Sequence, residues 1–183
     1  MPTSDYKNIK GERIPGNTTV ISSNLGWNKQ QLMYWAWQQG KDGKDFRQVR
    51  DQAADAGTLG HLMIECDIKD RALPDLSAYP PDVVGKAEAA FLNYLEWKRQ
   101  TRLTPITMEV ALISEILQTG TTVDIVALVA EKRSIVECKT SNHVYEDYLI
   151  QVAMQCAAWN ETHPGEPIEG DAPLKQPRHL DVG

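Results

Sequence analysis

Apolar positions change their period along this chain. After a capping run, Ser22-Ser23-Asn24, the residues Leu32, Met33, Trp35 and Ala36 recur at helical spacing, predicting a helix from Lys29 to Gln39. Gly40-Lys-Asp-Gly43 stops it. Phe46–Ala56 reads as a second, polar helix, and Gly57-Thr-Leu-Gly60 leads into an apolar helical run, His61–Ile68. Pro74 to Pro81 reads as loop. Asp82–Gln100 is the clearest amphipathic helix, with Val83, Ala87, Ala90, Phe91, Tyr94, Leu95 and Lys98 at three-to-four spacing.

The period then shortens. Ile106–Ile113 alternates over part of its length and is a strand candidate. Thr122–Ala130 and Ser134–Lys139 are rich in Val, Ile and Leu, as strands buried on both faces are, and Glu131-Lys132-Arg133 joins them as a hairpin. Helical spacing returns from Tyr145 to Thr162, with Tyr148, Val152, Cys156 and Trp159 on or near one face. The order predicts an α+β (mixed α/β) domain, a small, mostly antiparallel sheet flanked by helices. Residues 1–20 read as irregular, 21–162 as the domain and 163–183 as a Pro-rich tail.

Composition narrows the class. A chain of 183 residues with 42% hydrophobic and 24% charged residues is an ordinary globular domain with room for a core. No stretch has the length of a membrane span, and the first residues lack the apolar core of a signal peptide. Cys66, Cys138 and Cys156 form no CxxC pair, so neither a zinc knuckle nor a disulfide framework is suggested, and a reducing, cytoplasmic setting is expected. The net charge of −6 argues against binding nucleic acid by bulk charge. Local clusters remain: Lys7, Lys10 and Arg13; Lys98, Arg99 and Arg102; Lys132 and Arg133. Each reads first as a solvated face.

The chemistry concentrates in the hairpin. Asp124, Glu137 and Lys139 are charges set among apolar strand residues, where an unpaired charge is costly. Residues two apart on a strand share a face, so Glu137 and Lys139 emerge together while Cys138 faces away. With the turn centred on Glu131-Lys132, Asp124 falls opposite Lys139 and diagonal to Glu137. A divalent cation held by both carboxylates would offset the cost of burying them. The bland alternative, a surface hairpin with ordinary ion pairs, fits the apolar setting poorly. Glu109 on the preceding strand can reach the same face. His61, with Glu65 one turn later, and Gln151, with Gln155 one turn on, are weak signals singly.

Together these residues carry a resemblance. Gly57-Thr-Leu-Gly-His61, Gly120-Thr-Thr-Val-Asp124, Glu137-Cys-Lys139-Thr140-Ser141 and Tyr148-Leu-Ile-Gln151 follow in an order similar to that of the PD-(D/E)XK nuclease superfamily. The likeness is to its RecB-type branch, which includes CRISPR-adaptation and phage exonucleases. It covers about residues 20–162, including the Ser23–Ala36 helix region. Two positions depart from the pattern: the Gly120–Asp124 spacing has one extra residue, and Gln155 stands where the family usually has Tyr. The tail has little like the strands that often follow this helix in relatives.

The resemblance implies a restriction-endonuclease-like core and metal-dependent hydrolysis of DNA, at an end. Asp124, Glu137 and the Cys138 backbone carbonyl would hold Mg²⁺ or Mn²⁺, His61 would add a nitrogen ligand favouring Mn²⁺, and Glu109 would serve a second metal. Lys139 would orient water or stabilise developing charge, and Gln151 would position the nucleophile side or the DNA backbone. Several relatives hold an iron–sulfur cluster on four cysteines; with three, none in the matching arrangement, this chain is expected to hold none. Expected partners are single- or double-stranded DNA ends and a second copy or a phage recombination protein, with no membrane; for a phage-encoded chain the compartment is the host cytoplasm. Competing readings are a sequence- or structure-specific endonuclease and a non-catalytic nucleic-acid-binding protein on a decayed nuclease core.

Overall fold

The computed structural model describes residues 5–24, 29–139 and 144–169. Among them the elements run α1 (Asn17–Asn24), α2 (Lys29–Lys41), α3 (Phe46–Ile68), α4 (Pro81–Thr101), β1 (Thr104–Ser114), β2 (Thr119–Val129), β3 (Lys132–Val136) and α5 (Glu146–Thr162). The strands form an antiparallel meander in the order β1-β2-β3. The architecture is the mixed α+β one that the pattern predicts.

Helices cover both faces of the sheet. On one, Ile125 and Ala127, with Met108 and Val136, pack against Ala56, Leu59, Met63 and Ile64 of α3 and Val83, Ala87, Phe91 and Tyr94 of α4. On the other, Leu112, Val123, Val126 and Ile135 pack against Ala158 and Trp159 of α5 and against Ile168. Having helices on both sides is why β2 reads as a continuous apolar run rather than an alternating one. No helix of the described residues is long and apolar enough to cross a membrane.

Three local outcomes differ from the sequence pattern. Phe46–Ile68 is one helix, not two, capped by the Asp45 carboxylate accepting from the Arg47 N–H. Glycine inside a helix costs about 1 kcal/mol relative to alanine. Burying Leu59, Met63 and Ile64 of the same helix contributes about 1.5–3 kcal/mol per large side chain, so packing overrides Gly57 and Gly60. His61 therefore lies within the helix rather than at its start.

The N-terminal segment is also more ordered than expected. Lys7 bridges Arg13, Gly16 bridges Gly120 of β2, and α1 opens at Asn17. The Tyr6 ring lies on Gly120, and its hydroxyl hydrogen-bonds the Thr122 hydroxyl at 2.9 Å.

After α5, the indole N–H of Trp159 donates to the Glu166 carbonyl at 2.8 Å. The Glu169 N–H donates to the Arg133 carbonyl at 3.2 Å. The start of the tail thus lies along the outer edge of β3. Residues 170–183 lie outside the described residues.

Candidate metal centre

The hairpin turns one residue earlier than its sequence suggests. Val129 pairs with Lys132 and Ile125 with Val136, so the turn residues are Ala130 and Glu131, both at positive φ (49° and 69°). Two-residue hairpin turns need that conformation at both positions. A contact from outside the hairpin fixes the place: the Ala130 N–H donates to the Thr101 carbonyl at the end of α4, at 2.9 Å. Continuing the register puts Asp124 opposite Glu137, not Lys139. The slip is two residues, which preserves strand parity, so the relevant groups stay near one another.

They do not all meet on one face. Met108 and Val110, two apart on β1, pack into opposite core clusters, as do Ile125 and Val123 on β2. The row between them is Glu109 and Asp124. Glu109 has φ 55°, a conformation uncommon for a non-glycine residue and strained in mid-strand. At this row the sheet changes the face it presents, and Asp124 turns toward α3.

The result is two groups joined by one peptide. In the first, His61, Glu109 and Asp124 each offer a ligand atom, and these atoms lie within 4.8 Å of one another. In the second, Glu137 Oε1 accepts from Lys139 Nζ at 2.7 Å and from Gln151 Nε2 at 2.7 Å, and Glu137 Oε2 accepts from Gln155 Nε2 at 2.9 Å. Lys139 Nζ also lies 3.3 Å from Gln151 Oε1 and 5.0 Å from the centre of the Tyr148 ring. The Cys138 peptide links the groups: its N–H donates to Asp124 Oδ2 at 2.9 Å, and its carbonyl accepts from His61 Nε2 at 2.9 Å. A carbonyl only accepts, so Nε2 carries the proton. In the neutral ring Nδ1 is then a lone pair, 3.8 Å from Asp124 Oδ2.

The electrostatics fit a cation. Asp124 is 6% exposed. Burial, and next the Glu137 charge, push its carboxyl up to about 6, against the opposing pull of His61, the Cys138 N–H and Lys139. One imidazole nitrogen and two carboxylates form a donor set that divalent Mn²⁺ and Mg²⁺ accept. Burial pushes the Cys138 thiol well above its ordinary range, which removes it as a nucleophile at neutral pH.

Of the residues expected at the site, His61, Glu109 and Asp124 come together as a trio. Glu137, Lys139 and Gln151 come together beside it, and the Cys138 carbonyl faces His61. Thr140 and Ser141 lie outside the described residues. Gln155, noted in the sequence as one turn on from Gln151 and as a departure from the family pattern, is wholly buried and donates to both Glu137 and the Thr122 carbonyl, the latter at 3.2 Å. Its four-residue spacing from Gln151 was the available signal.

The basic clusters are partly neutralised. Arg13 pairs with Asp5, Lys98 with Asp67, Arg99 with Glu96 and Arg133 with Glu166. No protein-family model and no curated protein matches this chain.

Proposed function

We propose that this protein is a divalent-metal-dependent deoxyribonuclease that hydrolyses phosphodiester bonds at DNA ends, on a PD-(D/E)XK-type core. The observation that carries the reading is one peptide, Cys138. It joins a His61–Glu109–Asp124 ligand group to a lysine anchored by a buried glutamate. Mg²⁺ or Mn²⁺ bound by His61, Glu109 and Asp124, with Glu137 alongside, would supply Lewis acidity toward the phosphate and a more acidic water.

The chain's own groups do the positioning. The Cys138 carbonyl fixes the His61 ring with Nδ1 toward Asp124. Glu137, held by three donors, fixes the ammonium of Lys139, whose side chain is about one-third exposed and so open to a substrate. A preorganised ammonium there stabilises the negative charge that grows on the phosphate oxygens during attack. Gln151, bonded to Glu137 and beside Lys139, orients the same face. The activity belongs with DNA recombination, repair or processing.

The test is degradation of end-labelled linear DNA and of closed circular DNA with Mg²⁺ or Mn²⁺. Linear substrate should be consumed and circular substrate spared. Lys139→Ala should lower the rate by about 100-fold or more at an unchanged melting temperature. Undiminished cleavage by that variant refutes the mechanism, and cleavage of circles turns the reading to an endonuclease.

A further inference from the structure

We infer that the outward face of α2 is a stacking platform for single-stranded DNA; the inference rests on the nuclease reading for taking DNA rather than RNA as the ligand. α2 buries none of its residues. Met33, Tyr34, Trp37 and Lys41 fall at helical spacing on one face, and Leu32, Met33, Tyr34 and Trp37 are each more than half exposed. The Tyr34 and Trp37 rings lie 5.6 Å apart, tilted by 40°. The Lys41 ammonium sits 4.6 Å from the Trp37 ring centre.

An isolated helix of this length is marginal in water, and α2 packs only lightly on α3. Such a face calls for an occupant, and charge says which. No Asp or Glu stands between Glu12 and Asp42, in a chain with 25 of them among 183 residues. The helix begins and ends with Lys29 and Lys41 and carries Gln30, Gln31, Gln38 and Gln39. α2 itself carries no acidic residue to repel a polyanion. The rings take base faces, the lysines phosphates, and the amides the sugar-phosphate backbone.

Area argues against a second copy. Two chains docking through a helix about 20 Å long and about 10 Å wide would bury on the order of 200 Å² each, against about 800 Å² per partner in a stable complex. Bases in a duplex have their faces covered by their neighbours, so the platform takes unpaired strands. From α2 the chain runs through Asp42–Asp45 into α3, which carries His61. A strand held on α2 is thereby tethered to the helix that builds the metal group.

The test is the anisotropy of a labelled oligothymidylate of about 20 nucleotides, in EDTA so that neither cleavage nor metal enters. Trp37→Ala should bind about 10-fold more weakly and Tyr34→Ala/Trp37→Ala about 100-fold, while Trp37→Phe stays near wild type. Melting temperature and the heat of Mn²⁺ binding should not move, because the face is exposed. Undiminished affinity in the double variant overturns the platform. So does an assembly, seen by sedimentation, that the double variant reduces to monomers with its DNA affinity intact. A wild-type chain that binds the oligonucleotide but never responds to Mn²⁺ strikes the nuclease reading and leaves the platform. DNA degradation with a KM that Trp37→Ala does not change strikes the platform and leaves the nuclease.

Discussion

Replacing Asp124 by Asn should stabilise the metal-free protein while abolishing its response to metal. Asp124 is held at about 6 in the fold, against 3.8 for an ordinary aspartate, chiefly by burial. The folded state therefore holds the proton more tightly than the unfolded chain. Stability from this group is fully present below about pH 4 and is lost as pH rises through about 6. At 1.36 kcal/mol per pH unit the loss is on the order of 3 kcal/mol above that window. Asn keeps the shape and an acceptor for the Cys138 N–H, whose hydrogen bond to the carboxylate is already part of that net shift. The gain at pH 8 is therefore on the order of 3 kcal/mol, or about 6–12 °C of melting temperature for a domain of this size. The assay is thermal melting from pH 4 to pH 8 in EDTA and in Mn²⁺. The Asp124→Asn curve should lie above wild type at pH 8 and converge with it near pH 4. Mn²⁺ at about 100 times its dissociation constant should stabilise wild type by about 2.7 kcal/mol and the variant not at all. A variant less stable than wild type at pH 8 without metal refutes the reasoning, for it would make the carboxylate a net stabiliser held by Cys138 and His61.

Glu109→Asn should leave melting temperature equal or raised, because Asn tolerates the positive φ at this position; in a regular strand Asn would be unfavourable. Its calorimetric Mn²⁺ affinity should fall, and a clear loss of melting temperature would count against strain at this residue. Gly120→Ala should destabilise the fold by about 1–3 kcal/mol in urea titration, since a Cβ there would stand 2.0 Å from Cγ of Tyr6. Most of that loss should vanish in a Tyr6→Ala background, and a silent Gly120→Ala would show that the ring is free to leave.

What the sequence disclosed was governed by local periodicity. α4 has a continuous apolar stripe, and its observed span, Pro81–Thr101, matches the expected one to within a residue at each end. The strands follow from the two-residue repeat, but β3 ends at Val136, so Glu137 and Lys139, expected on that strand, lie just beyond it. Features set by distant contacts were not legible. The hairpin register depends on Ala130 reaching Thr101, with no Asn-Gly to announce the turn. α3 continues through two glycines because the sheet and α4 bury its apolar face. The conformation of Glu109 has no sequence signature, since glutamate rarely adopts it. Tyr6 lay in a stretch without apolar period, and only the bare backbone of Gly120 gives its ring a place.

Gln155 shows why a departure from a motif need not weaken a site. The resemblance leads one to expect a tyrosine there, whose single hydroxyl donates one hydrogen bond. The carboxamide donates two, to Glu137 Oε2 and to the Thr122 carbonyl, and so ties the carboxylate to β2 as well as to α5. The arrangement carries a penalty. Gln155 Oε1 is buried with no hydrogen-bond partner, and an unsatisfied buried acceptor costs about 1–3 kcal/mol. Like the buried charge on Asp124 and the strain at Glu109, that penalty works against the fold. All three fall on residues of the candidate site, while buried polar atoms of Asn17, Thr119 and Arg133 also lack hydrogen-bond partners elsewhere in the fold. Under the proposed reading, the instability at Asp124, Glu109 and Gln155 is accepted for chemistry rather than for stability.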